Sequence, residues 1–246
     1  AMIITRTHGY DLYDETRVSG YQPFKEQMDK KLSRILFISE YGRDYYFRRY
    51  NRKASDKYIL NNLGTRRPDS LNPYKKNNNI RLVSCSHMIK GKRIHLIIEA
   101  LGMIDDINVE WIHFGSGILK DELSIKAKKV LNEKTNISYE FKGQVENHMV
   151  HELYLTKQVD AFITSSESEG NPVSVMEAMS YGIPVIAPEI CNFRAMLEDA
   201  GMLVSDKCDP NELALKIRKL ADMTEEETLA VRRQIRGVWE KKYDHL

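Results

Sequence analysis

Two carboxylates stand eight positions apart in the run SESEGNPVSVMEAM, residues 166–179: Glu169 just before a glycine, and Glu177 inside an otherwise apolar stretch. Asn171-Pro172 reads as a helix start, an Asn cap with Pro at the first helical position, and Gly182 and Pro184 stop that helix after Tyr181. Glu177 then falls mid-helix among Val173, Val175, Met176, Ala178 and Met179, with Ser174 and Tyr181 on its own face. A buried carboxylate costs several kcal/mol unless hydrogen-bond donors or charges meet it. Ligand hydroxyls would do so, as would solvent or a neighbouring Arg or Lys. Glu169 lies on the loop SSESEGN, between a strand end and a helix N-terminus, where free backbone N–H groups attract polar ligands and Gly170 permits close approach. A glutamate at that point repels phosphate and accepts hydrogen bonds from sugar hydroxyls. Two further places could handle phosphate: the basic turn Lys90–Arg93, which reads otherwise as an ordinary exposed helix start, and Gly115-Ser116-Gly117 after a strand.

The elements that must position these residues alternate in type. Strand candidates are 80–86, 109–115, 137–143, 159–165 and 183–188, and helical segments cover 92–104, 118–131, 147–157 and 172–181. That order predicts an α/β domain over residues 80–222, a Rossmann-like, doubly wound parallel sheet with its ligand site at the carboxyl ends of the strands. Residues 1–62 carry two strand-like runs, 3–14 and 34–42, and read as a remnant of another domain. Residues 63–79 are a polar linker rich in turn formers, and 223–246 form a terminal helix capped by Thr224. Ile235, Trp239 and Tyr243 repeat every four residues as a docking stripe.

The 246 residues, with no run near the roughly 18 apolar residues of a membrane span and no signal-peptide layout, predict a soluble cytoplasmic protein. Cys85, Cys191 and Cys208 are scattered, without metal-ligand spacing, and read as reduced structural thiols. The net charge of +2 conceals a basic segment, since Arg43 to Arg93 holds fourteen Lys or Arg against Asp44, Asp56 and Asp69. Such a segment is a solvated face, or it meets ligand phosphates or an anionic membrane surface; no nucleic-acid motif accompanies it, so nucleic acid is not an expected partner. Gly115-Ser116-Gly117 lacks the third glycine and the distal acid of a dinucleotide fingerprint, which disfavours an NAD-type oxidoreductase.

In this context SSESEGNPVSVMEAMSYGIPVIAP resembles the signature segment of retaining glycosyltransferases of the GT-B fold, family 4 type, which build bacterial surface polysaccharides. VSCSHMIKGKRIHLIIEAL, residues 83–101, is similar to that family's G-R-x-x-x-x-K donor-phosphate motif, FGSGILKDELSIKA to its glycine loop, and residues 140–166 to the strand and loop beside the nucleobase. RTHGYDLYD, residues 6–14, is similar to a late part of the acceptor domain. The resemblance implies that Lys92 binds the donor diphosphate, that Glu177 holds the ribose hydroxyls, and that Glu169 with the backbone of Gly170 and Asn171 meets the transferred sugar. It adds Ser86, His87, Gly115, Gly143, Val145, Ser165, Pro172 and Val173 to the donor site and makes Glu169 and Lys92 the catalytic pair. His87 stands where the family usually has Arg, with Lys90, Lys92 and Arg93 available to compensate.

The implied substrate is a nucleotide-diphosphate sugar, UDP- or GDP-linked, and the implied acceptor is a glycan or lipid-linked sugar, with no cofactor and no catalytic metal. The implied site of action is the cytoplasm, with peripheral contact at the inner membrane face. Rival readings are a sugar-nucleotide epimerase of the same fold and a donor-binding fragment without transfer. The opening Ala1-Met2 and the short first region read as a chain lacking an upstream segment, weakly active alone and self-associating through its amino-terminal region.

Overall fold

Strand runs flanked by amphipathic segments fold here as consecutive βα units, because a parallel strand must be followed by a crossover that packs back on the sheet. The computed structural model describes residues 2–14, 19–190 and 192–244. Cys191 lies outside them; Cys85 and Cys208 are free thiols.

The first unit contains β1 (Ile4–Thr7), α1 (Gly9–Leu12), α2 (Lys25–Lys31), β2 (Arg34–Phe37), α3 (Glu40–Tyr50) and β3 (Tyr58–Leu60). Its strands pair in parallel in the order β1-β2-β3, so the two-strand expectation is corrected to three. The missed strand, Tyr58-Ile59-Leu60, is only three residues long and sits in the basic segment, too short a run to stand out there. Leu12, Tyr13, Ile35, Phe37, Tyr46 and Tyr50 form a separate small core.

The second unit contains β4 (Asn79–Cys85), α4 (Ile94–Gly102), β5 (Asn108–Phe114), α5 (Lys120–Leu131), β6 (Ile137–Gly143), α6 (Asn147–Thr156), β7 (Ala161–Ile163), α7 (Val173–Ser180), β8 (Val185–Pro188), α8 (Phe193–Leu197), β9 (Met202–Val204), α9 (Pro210–Asp222) and α10 (Glu225–Lys242). All pairings are parallel, in the order β6-β5-β4-β7-β8-β9. The chain winds outward from β4 to β6, then crosses to β7 on the other side. The β4/β7 boundary is therefore the topological switch point, where the strand-end loops diverge and leave a crevice. Alternation along the strands feeds two core layers: Leu82 and Trp111 face α4, α5 and α9, while Val83, Ile112 and Phe114 face α6, α7, α8 and α10.

Both flanking segments pack onto the second unit. The polar segment before β4 is strapped down: Asn72 is buried, donates to the Tyr154 and Lys157 carbonyls, and accepts from the Arg232 guanidinium and the Val159 N–H. The α10 stripe docks on the second unit: Ile235, Trp239 and Tyr243 are buried in the same core layer as α7. Amphipathic spacing specifies that a face is buried without specifying its partner. Thr224 does cap α10, in a reciprocal capping box with Glu227.

Candidate functional site

Three strand-end loops interlock at the carboxyl edge of the sheet. Gly115 has φ +130°, and a Cβ on it would lie 1.9 Å from the Ser86 carbonyl oxygen; on Gly117 it would lie 2.5 Å from that of Met88. Only glycine lets the loop after β5 pass so close to the loop after β4. Backbone bonds then join them: Ser86 N–H to Phe114 O (3.0 Å), Met88 N–H to Ser116 O (3.0 Å), and Gly115 N–H to the carbonyl of Gly143 (2.8 Å), itself at φ +71°. The glycine pair thus serves loop against loop.

Beneath this turn His113 is fully buried, and burial pushes its imidazole pKa down to about 4. The Trp111 indole N–H donates to Ser84 Oγ (2.9 Å), and the same hydroxyl is hydrogen-bonded to His113 Nδ1 (2.8 Å). The residue was not anticipated from the sequence, although its alternation with Trp111 on an apolar strand marks it as a core histidine.

Across the switch point Lys92, in the turn after β4, meets Glu169, in the loop after β7, at 2.5 Å between Nζ and Oε1. Their side chains are 22% and 15% exposed, so this is a partly buried pair at the mouth of the crevice. Arg93, which the sequence offered as a spare phosphate ligand, is committed elsewhere: in the left-handed conformation (φ 48°) it donates to the carbonyls of Ser165 (2.7 Å) and Ser166 (3.0 Å). Ser165, expected at the donor, is buried, and its hydroxyl donates to the Lys92 and Arg93 carbonyls at 2.9 Å. It holds the lysine turn in place. Lys90 and His87 are exposed.

The helix start is shifted by one residue. Pro172 occupies the cap position of α7, and the Asn171 side chain, rather than capping, is buried and donates to the Ile38 carbonyl of the first unit at 2.8 Å. A Cβ on Gly170 would make ordinary contact with Gly9 N at 3.7 Å, so this loop faces the first unit, with Val173 exposed beside it.

Glu177 is 8% exposed. Its Oε1 accepts from Asn147 Nδ2 at 3.0 Å and lies 3.4 Å from His151 Nε2, while Oε2 has no partner among the described residues and is not sealed from solvent. The carboxylate and burial together push the Tyr181 hydroxyl up to about 12 and the Cys85 thiol up to about 11, burial being the larger cause in both. Asn147 and His151 were missed; the signal was their i, i+4 spacing on the polar side of NHMVHELYLTK. Next to them a cavity of about 230 Å³ is lined by Ser86, His87, Phe114, Gly115, Val145 and Asn147, an apolar slot with a few polar groups at its rim. A larger cavity of about 380 Å³ opens at the opposite end of the strands, where Asp106 is paired with Arg218, Asp105 with Lys134, and Lys76 donates to the Ala221 and Met223 carbonyls. Among the described residues no group of three or more His, Cys, Asp or Glu could hold a metal, and no helix is long and apolar enough to cross a membrane.

Comparison with known proteins adds the following. The family model described as "Glycosyl transferases group 1" matches residues 67–235. The O-antigen biosynthesis glycosyltransferase WclY of Escherichia coli is 33% identical over 132 residues, 53% of this chain and 34% of that protein, so the chain spans about a third of that relative's length. Among solved structures, an S. aureus TarM mutant in complex with fondaparinux, alpha-GlcNAc-glycerol and UDP superposes with a TM-score of 0.77 at 21% identity, covering 99% of this chain and 48% of that one. Anabaena HepE in complex with UDP and glucose gives a TM-score of 0.77 at 16% identity, covering 99% and 68%. These likenesses show the fold, that of the GT-B glycosyltransferases.

Proposed function

The chain belongs to the glycosyl transferases group 1 family, and from that premise we propose that it binds a nucleoside-diphosphate sugar and serves retaining glycosyl transfer in bacterial surface-polysaccharide synthesis. The observation that carries this reading is Glu177: a carboxylate nearly closed off from solvent, one oxygen pinned by two side chains and the other left open beside a base-sized cavity. A pair of ribose hydroxyls suits it, because each can donate a charge-assisted hydrogen bond to a fixed acceptor. The base lies in the slot over Phe114 and Val145, next to Ser86 and His87. The diphosphate lies against Lys92 and the loops at Gly115 and Gly143, and the sugar lies between Glu169 and the backbone of Gly170, Asn171, Pro172 and Val173.

In the transfer step the bond from the sugar's anomeric carbon to the diphosphate oxygen breaks and a bond to the acceptor hydroxyl oxygen forms on the same face. The acceptor proton passes to the departing phosphate. Lys92 and the start of α7 stabilise the leaving group, so no metal is required. TarM and HepE, both solved with UDP, support a uridine carrier. The acceptor, a glycan or a lipid-linked sugar, approaches from the first unit, to which Asn171 is tied. We place the enzyme in the cytoplasm, with the basic stretch Arg43–Arg93 favouring an anionic membrane surface.

Calorimetry with UDP, GDP and ADP tests the reading. One of them should bind, binding should survive EDTA, and Glu177→Gln should weaken it by about 1–3 kcal/mol. Failure of all three to bind, or equal affinity in the variant, refutes the donor site; inverted product anomers in NMR refute retention.

A further inference from the structure

We propose that His151 is a positioning residue that aims Glu177 at the donor ribose without touching the ligand. This rests on the nucleotide-sugar reading above and adds to it a residue that no motif supplies. Asn147 and His151 are one turn apart on α6, so both side chains leave the same face, and Glu177 and Tyr181 have the same relation along α7 and the turn that ends it. The four meet between the two helices: Asn147 on Glu177 Oε1, His151 Nε2 on the same oxygen, and His151 Nδ1 on the Tyr181 hydroxyl at 2.8 Å.

Tyr181 braces the imidazole from its other side. Burial and the nearby carboxylate keep the proton on its hydroxyl, which is hydrogen-bonded to Nδ1 at 2.8 Å, and its ring packs against the imidazole at a centroid distance of 5.6 Å.

The Asn147 hydrogen bond at 3.0 Å and the imidazole edge at 3.4 Å, both on Oε1, oppose the rotation that would let either oxygen face the crevice. They leave Oε2 as the acceptor a hydroxyl meets, which orders the site before the ligand arrives. Without His151, Asn147 alone holds Oε1, and the carboxylate turns.

The test is a double-mutant cycle read by calorimetry with whichever of UDP, GDP or ADP binds most tightly, and with inorganic pyrophosphate as a ligand that has no ribose. His151→Ala should weaken nucleoside-diphosphate binding about five- to twentyfold, leave pyrophosphate affinity unchanged within about twofold, and have almost no effect in a Glu177→Gln background. Tyr181→Phe, which keeps the ring and the packing, should give a smaller loss of the same kind and stands in if His151→Ala does not fold. Unchanged nucleotide affinity in both variants overturns the proposal, and so does an equal loss for pyrophosphate or an undiminished loss in the Glu177→Gln background. If Glu177→Gln itself leaves affinity unchanged, the nucleotide reading falls and the positioning role with it; if Glu177→Gln weakens binding and His151→Ala does not, only the positioning role falls.

Discussion

Lys92 cannot hold a diphosphate and Glu169 at full strength together, so the carboxylate competes with the anion, and Glu169→Gln should tighten binding of inorganic pyrophosphate. At the 2.5 Å separation of Nζ and Oε1 the gross attraction is about 7 kcal/mol for an effective dielectric near 20. Desolvation of both ions and the ordering of two long side chains offset most of this in a pair that is still 22% and 15% exposed. A net coupling of about 1–2 kcal/mol is reasonable for such a site, and removing the competitor should return most of it to the ligand, roughly a five- to thirtyfold gain in affinity. Lys92→Ala should act in the opposite direction and flatten the salt dependence between about 20 and 200 mM. Transfer should nonetheless slow in Glu169→Gln, because the amide is a poorer acceptor for a sugar hydroxyl than the carboxylate. Tighter pyrophosphate with slower transfer is the expected signature, measured by calorimetry and by a turnover assay. Weaker or unchanged pyrophosphate binding in Glu169→Gln refutes the competition, and the ion pair would then be a fixture that orders the loop.

Three further outcomes follow from the packing around the site. Gly115→Ala would place a Cβ 1.9 Å from the Ser86 carbonyl at φ +130° and should cost roughly 3 kcal/mol or more in urea unfolding, together with nucleotide affinity; a neutral outcome would show that the two loops can separate freely. His113 has its folded pKa near 4 against an ordinary 6.5, so the unfolded chain binds the extra proton between these values; its contribution is whole above pH 6.5 and is lost as pH falls to 4, by at most about 3 kcal/mol. His113→Phe should lack that part of the pH slope in urea titrations, and identical slopes would refute the assignment. Arg232 is buried, held down to about 10 by that burial, and donates to the Val159 carbonyl and to both oxygens of Asn72. Arg232→Met removes the donor from the Val159 and Asn72 carbonyls, Asn72 Oδ1 keeping the Val159 N–H, and should cost about 2–4 kcal/mol, lowering the melting temperature by roughly 5–15 °C, with hydrogen exchange rising first in residues 64–76; an unchanged melt would refute the strap.

Much of the second unit was legible from local pattern. The central strands β4 and β5 read as largely apolar runs and the edge strand β6 as an apolar–polar alternation, which is why all three fell within a residue of their expected bounds. Glu169, Glu177 and Lys92 stood out as candidates too, since a carboxylate in an apolar helix or a basic turn after a strand poses a question at the level of residue type. β3 and β9 were not legible, because a three-residue strand carries too little periodicity of its own; β7, equally short, stood out because it sits in the longer run 159–165.

Which groups meet was decided only by the tertiary structure. Lys92 finds Glu169 because the order reversal between β4 and β7 brings two strand ends together that are far apart in sequence. Arg93, next in line to Lys92, turns away to loop carbonyls because its backbone is left-handed there. Asn147 and His151 reach Glu177 only because α6 and α7 lie against the same face of the sheet. Ile235, Trp239 and Tyr243 are buried as their spacing requires, but in the layer with α7, since periodicity states that a face must leave water and only packing selects what covers it.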